Sequence, residues 1–149
     1  MYLLLGIGIS NIAVINKFKE LNIDFIVACK EEECKQAGEY SENVISYKMI
    51  KYINLDKIKF VIKSPGIPYH DKYLLYLKNK RIRIINEIEL TYLLTSKKGI
   101  YIGVSGSVGK SSVVTLLYTQ IRAITDNVIL AGNIGDPLIN YLDKIKDLD

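Results

Sequence analysis

The chain has 149 residues, room for one domain or for one and part of a second, and it is 49% hydrophobic and 24% charged, a balance that suits a soluble globular chain with a core. Its net charge of +4 is dispersed and gives no ground for a nucleic-acid or membrane-surface partner. The apolar runs are short and interrupted, so no membrane span is expected, and Met1 to Gly6 carries no basic leader, so the expected compartment is the cytoplasm. Two cysteines (Cys29, Cys34) and one histidine (His70) are too few for a zinc site or a Cys/His nucleophile pair, and two reduced structural thiols are expected.

Apolar strands alternate with helical patterns along the whole length. Tyr2–Leu5 reads as a buried strand, followed by the turn Gly6-Ile7-Gly8-Ile9-Ser10 and a helix from about Asn11 to Leu21 with Ile12, Ile15 and Phe18 on one face. Asp24–Cys29 is a second strand, Lys30–Glu33 a solvated loop or helix start, and Val44–Ser46 a short strand. Lys59–Lys63 is another strand, ended by Ser64-Pro65-Gly66-Ile67-Pro68, where two prolines and a glycine forbid regular structure. Asp71 is placed to cap a helix through Lys80 with Tyr73, Leu74 and Leu77 inward, Arg83–Ile85 is a short strand, and Glu87–Leu94 a short helix. After the polar break Thr95-Ser96-Lys97-Lys98 come a strand around Gly99–Ile102, a helix over 110–124, a strand over 127–131, the loop Gly132-Asn133-Ile134-Gly135, and a helix from Pro137 to about Ile145.

This alternation predicts an α/β fold: a parallel, Rossmann-like sheet over residues 1–94, followed over 95–149 by the incomplete start of a P-loop domain. The richest stretch is Gly103-Val104-Ser105-Gly106-Ser107-Val108-Gly109-Lys110-Ser111-Ser112. Glycines let successive N–H groups turn toward one anion, and a following helix adds the positive end of its dipole. Gly106, Ser107, Val108 and Gly109 would cradle nucleotide phosphates. Lys110 would reach a terminal phosphate, and the Ser111 hydroxyl would sit on Mg²⁺ with Ser112 beside it. The general P-loop wants glycine at 104, where Val104 stands, so the match is to a variant spacing.

Gly6-x-Gly8-x-Ser10 lies where a dinucleotide fold carries its pyrophosphate turn, but Asn11 occupies the third glycine position. Cys29 and Lys30 stand where an acid is expected, which argues against NAD or FAD. Ser64-Pro65-Gly66 ends a strand on the same sheet edge. If the strands of residues 1–6 and 59–63 are neighbours, the two turns face one crevice; otherwise both are only tight turns.

In order along the chain, GIGIS (6–10), KSPGIP (63–68), NEIEL (86–90), GVSGSVGKSS (103–112) and AGNIG (131–135) resemble the Mur ligases, and within them the branch that adds D-glutamate. The glycine spacing of the loop is that family's own. The resemblance implies a three-domain cytoplasmic enzyme of peptidoglycan synthesis. Its first domain would hold UDP-N-acetylmuramoyl-L-alanine, its second ATP and Mg²⁺, its third D-glutamate. The γ-phosphate would pass to the alanine carboxylate, and the D-glutamate amine would attack the resulting acyl phosphate. By position, Ile9, Ser10, Ser64, Pro65 and Gly66 would line the UDP pocket, Asn133 would meet the muramoyl part, and Lys110 would act catalytically on the migrating phosphoryl group.

Three departures accompany the resemblance. Val108 stands where the family has asparagine, Ser105 and Ser107 replace its threonines, and Cys29 replaces an acid beside the uridine. The family's second Mg²⁺-binding acid, modified lysine and D-glutamate domain have no counterpart in these residues. The expectation is the front portion of such a ligase, either a truncated product or a decayed reading frame, that does not turn over by itself, or one completed by a separately encoded remainder. Two rivals stand beside it: a non-enzymatic nucleotide- or UDP-sugar-binding module, and a small P-loop ATPase of another class.

Overall fold

A computed structural model describes residues 1–95, 99–132, 134 and 136–146. The chain divides into two compact units, Met1–Leu90 and Thr91–Asp149. The first is built on five parallel strands: β1 (Tyr2–Leu5), β2 (Phe25–Cys29), β3 (Val44–Ser46), β4 (Phe60–Lys63) and β5 (Ile84–Ile85), in the order β3-β2-β1-β4-β5. Tyr2 lies opposite Phe25 on one side and Phe60 on the other, and Leu5 opposite Ala28 and Lys63. The three inner strands are nearly continuous apolar runs because both faces of a parallel sheet are covered. Leu3, Leu4, Val27, Ala28, Val61 and Ile62 are accordingly sealed from solvent.

Side chains alternate across the sheet. Leu3 and Leu5 face a cluster with Ala28, Ile50, Ile58, Val61, Leu74 and Leu77. Leu74 and Leu77 come from α3 (Lys72–Asn79), whose first turn is capped by Asp71 Oδ1 accepting from the N–H of Tyr73 (2.8 Å) and Leu74 (3.1 Å). Tyr2 points the other way, onto Phe18 of α1 (Ile9–Glu20), with ring centroids 4.9 Å apart, and Phe18 also meets Phe25 at 5.8 Å. Helix α1 begins two residues before the sequence expectation, with Gly8 as its cap. Ile9 and Ser10 therefore belong to its first turn. Between β2 and β3 lie a 3₁₀ turn (Glu31–Glu33) and α2 (Cys34–Tyr40), a helix with no clear apolar period and only Ala37 buried. Helix α4 (Glu87–Leu94) runs across the boundary between the units.

In the second unit, α5 (Lys110–Arg122), a 3₁₀ turn (Leu138–Tyr141) and α6 (Leu142–Lys146) form. The strands expected at 99–102 and 127–131 do not: both segments lack ladder pairing, and Ile100 is 94% exposed. A parallel strand is held by neighbours on its flanks, and these apolar runs find none among the described residues. Pro137 caps the final 3₁₀ turn from just outside it rather than sitting within the first turn.

Candidate functional site

The strand order reverses between β1, which continues toward β2 and β3, and β4, which continues toward β5. In open parallel sheets the crevice outside the carboxyl ends at such a reversal is where ligands settle. Because β1 and β4 are paired, the turns that leave them meet there. The ladder continues past both strands: Gly6 N–H donates to Ala28 O (2.8 Å), and Ser64 N–H to Leu5 O (3.0 Å). Gly6 takes φ +79°, which turns the chain out of β1. A Cβ on Gly6 would lie 3.3 Å from both Ser64 Cβ and Ile67 Cδ1 and 3.5 Å from the Tyr47 hydroxyl. A Cβ on Gly8 would lie 2.5 Å from Ser64 Oγ. The two turns thus touch, backbone against hydroxyl.

Of the sequence-predicted residues, Ser64 is buried in this joint, Ser10 is half-buried, and Pro65, Gly66 and Ile9 face solvent, Ile9 at 80%. The ring of Tyr69, after the β4 turn, is exposed as well. Asn133 lies outside the described residues.

Two residues to which the sequence reading gave no binding role, Asn11 and Lys63, hold the crevice in shape, and Tyr47 lies beside it. Asn11 is fully buried, and its Nδ2 donates to Leu5 O (2.8 Å), Gly6 O (2.9 Å) and, at the limit of reach, Ile62 O (3.5 Å). It therefore joins the ends of β1 and β4, while its Oδ1 is buried without a partner. Lys63, also buried, donates from Nζ to Ser64 O (2.9 Å) and Pro65 O (3.3 Å) and lies 5.0 Å over the Tyr69 ring. Burial pulls its pKa below the ordinary lysine value. Tyr47 stacks on Tyr73 at 5.2 Å, and burial, with the negative charges of Glu33 and Asp71, pushes its phenol upward. The sequence did carry a signal for Asn11: it is the polar residue standing where a dinucleotide turn has glycine.

In the second unit, Gly109 caps α5 in the left-handed conformation (φ 80°), and Val113 N–H returns to Gly109 O at 3.0 Å. Lys110 folds back so that Nζ donates to Gly106 O, with Ser107 O at 3.5 Å. Ser111 and Ser112 are exposed in the first turn of α5, and Val108 is 93% exposed. This is a turn, a lysine and two hydroxyls at a helix N-terminus, a donor set suited to an anion. A separate groove between Tyr118, Arg122, Asp126 and Tyr141 contains none of these residues, and its Arg122 is already paired to Asp126 at 3.1 Å.

No family model matches the chain. Individual proteins do. The UDP-N-acetylmuramoylalanine–D-glutamate ligase of Bacillus subtilis is 34% identical over 140 residues, 90% of this chain and 31% of that protein. The ligase of the same name from Clostridioides difficile is 32% identical over 151 residues, 97% of this chain and 33% of that protein. That from Caldicellulosiruptor saccharolyticus is 28% identical, with the same coverage. The chain is a relative of these ligases. It is similar to their N-terminal portion and spans about a third of their length. The likeness to the ligases runs through both units, so it takes in the crevice and the glycine loop alike.

Proposed function

We propose that this chain is the front portion of an ATP-dependent ligase of peptidoglycan synthesis that joins D-glutamate to UDP-N-acetylmuramoyl-L-alanine. Residues 1–94 receive the UDP end of the acceptor, and residues 95–149 open the ATP-binding domain. The observation that carries the reading is the contact of the β1 and β4 turns at the strand-order reversal, Gly8 against Ser64, in a chain related to ligases of that name.

Each residue has a role in this reading. Ile9, Ser10, Ser64, Pro65 and Gly66 line the UDP pocket, and Asn133 meets the muramoyl part. Asn11 and Lys63 fix the two turns by binding their carbonyls. At the second site the amides and hydroxyls of Gly106–Ser112 receive the ATP phosphates. Lys110 exchanges its loop carbonyls for phosphate oxygens and offsets charge on the phosphoryl group in transfer. The Ser111 hydroxyl holds Mg²⁺, which neutralises the phosphate oxygens when bound. The exposed hydroxyls and the lysine already seated over its own loop fit that donor set. The reaction is completed by residues supplied elsewhere, in a further stretch of chain or a separately encoded remainder, in the cytoplasm. The 149 residues alone do not turn over.

A titration of UDP-N-acetylmuramoyl-L-alanine into the chain tests the first site by calorimetry. Saturable heat is expected, and Gly8→Val, which drives a side chain into Ser64 Oγ, weakens it by at least about tenfold, an affinity change of about 1.4 kcal/mol. No heat from the unsubstituted chain would overturn the reading. Phosphate release from ATP by the chain alone, dependent on both UDP-N-acetylmuramoyl-L-alanine and D-glutamate, would overturn the assignment as a non-catalytic portion.

A second reading, a UDP-sugar-binding module that never catalyses, is favoured by the fact that Ile9, Ser10, Ser64, Pro65 and Gly66 all lie in the first unit. The two readings part at ATP: the ligase portion binds it and loses it on Lys110→Ala, and the module does not bind it.

A further inference from the structure

Cys29 and Cys34 are five residues apart, yet their sulfurs are 3.1 Å from one another. The contact is built by local structure. Cys29 is the last residue of β2, fully buried, with Sγ also 3.8 Å from Ile45 O on β3. The chain then makes the 3₁₀ turn Glu31–Glu33, closed by Glu33 N–H to Lys30 O (3.0 Å) and by Lys30 N–H to Glu33 Oε2 (3.3 Å). That turn returns Cys34, the first residue of α2, over the end of β2, where its Sγ also lies 3.2 Å from Lys30 O. Cys34 is half-buried and reachable from solvent. One sulfur is sealed, one is accessible, and they touch.

We propose that Cys29 and Cys34 form a reversible dithiol–disulfide site that takes low-molecular-weight disulfides as its oxidant. Cys34, as thiolate, attacks one sulfur of R–S–S–R and expels RS⁻, leaving a mixed disulfide on Cys34. Cys29 gives up its proton and attacks Cys34 Sγ, expelling the second RS⁻ and closing the Cys29–Cys34 bond. The two thiols lose two electrons, the reagent gains them, and the two protons end on two RSH. Closing the bond brings the sulfurs from 3.1 Å to the ~2.05 Å of a disulfide, a movement of about one ångström in a half-exposed turn.

The order of attack follows from the environment. Burial first, then the hydrogen bond with Cys34 and the negative charges of Cys34 and Glu33, push the Cys29 thiol up to about 12, so Cys29 is protonated and poorly nucleophilic until its partner is activated. In a reducing compartment such a pair is open, and transient disulfides there are characteristically sensors. The closed form ties the β2 end to α2 through a short covalent loop, on the strand next to β1 and its crevice turn.

Hydroxyethyl disulfide is a suitable probe because it is uncharged and indifferent to the three glutamates between the cysteines. The full chain is treated with it, free thiols are capped with iodoacetamide, and the mass is read. The expected product has lost two hydrogens, carries no cap on either cysteine, and recovers both thiols with dithiothreitol. Cys29→Ser is expected to stop at one hydroxyethylthio adduct on Cys34, whereas Cys34→Ser leaves Cys29 as a free thiol. The proposal is overturned by a wild-type product carrying two adducts, by one with both thiols capped, or by a disulfide found only between two chains.

Discussion

At the scale of single residues, the crevice depends on what glycine omits. Gly6 and Gly8 are two positions apart but resist substitution for different reasons. Gly6 has a left-handed backbone (φ +79°), and a Cβ there would press on Ser64 Cβ and Ile67 Cδ1. Gly6→Ala is expected to destabilise the protein by about 1–2 kcal/mol from backbone strain alone, read as a lower urea midpoint at unchanged slope. Gly8 has φ −64°, so alanine there meets only a hydroxyl that can rotate away. Its effect belongs to the position of Ser64 more than to stability.

Cys29 carries a pH signature. Its thiol is raised from 9.0 to about 12 in the folded chain, so above pH 9 the unfolded chain has released a proton that the folded one keeps. The stability this contributes is intact below pH 9 and is lost as pH rises toward 12, at up to about 1.4 kcal/mol per pH unit. Denaturant midpoints measured across that window should fall more steeply for the wild type than for Cys29→Ala. Equal slopes would mean that the thiol is not held neutral.

At the scale of elements, much was legible. The strands of the first unit are apolar runs bounded by turn residues, and a parallel sheet covered on both faces writes itself into the sequence in that way. The Asp71 cap was legible too, since a carboxylate before an apolar helical face has one favourable use. Asp71→Ala leaves the amides of Tyr73 and Leu74 without that acceptor and is expected to cost about 1 kcal/mol, seen as a lower midpoint in thermal or urea unfolding. An unchanged midpoint would remove the cap from the account of α3. Helix α2 was not legible, because Cys34–Tyr40 buries a single residue and shows no stripe. The strands at 99–102 and 127–131 were over-read for the opposite reason. Their composition is strand-like, but composition cannot say whether a neighbour is present to share hydrogen bonds. In the crevice, the glycines and Ser64 were visible from spacing. The roles of Asn11 and Lys63 were not, because they reside in bonds to carbonyls 1 to 51 positions away.

At the scale of the whole molecule, the two units differ in how their backbones are protected. Strands β1, β2 and β4 are sealed by side chains on both faces, whereas no residue of α5 is buried. Amide hydrogen exchange is expected to follow that contrast, since local opening is easiest where few apolar contacts must break. Amides of Leu3–Leu5 and Val27–Cys29 should exchange only through the largest openings. Those of Lys110–Arg122 should exchange orders of magnitude sooner, and equal protection in the two regions would contradict this picture. Among the described residues no helix is long and apolar enough to cross a membrane.

The unpaired segment Ile100-Tyr101-Ile102 has a colloidal consequence. The sheet of the first unit ends in strands of only three and two residues, so it offers other chains little backbone to grip. The apolar triplet, with Ile100 and Ile102 at 94% and 58% exposure, is β-prone and uncovered. Among the described residues it is an adhesive spot, opposed by the mutual repulsion of copies carrying +4. Light scattering per unit mass of protein should therefore rise with concentration, and rise at lower concentration when salt screens that charge.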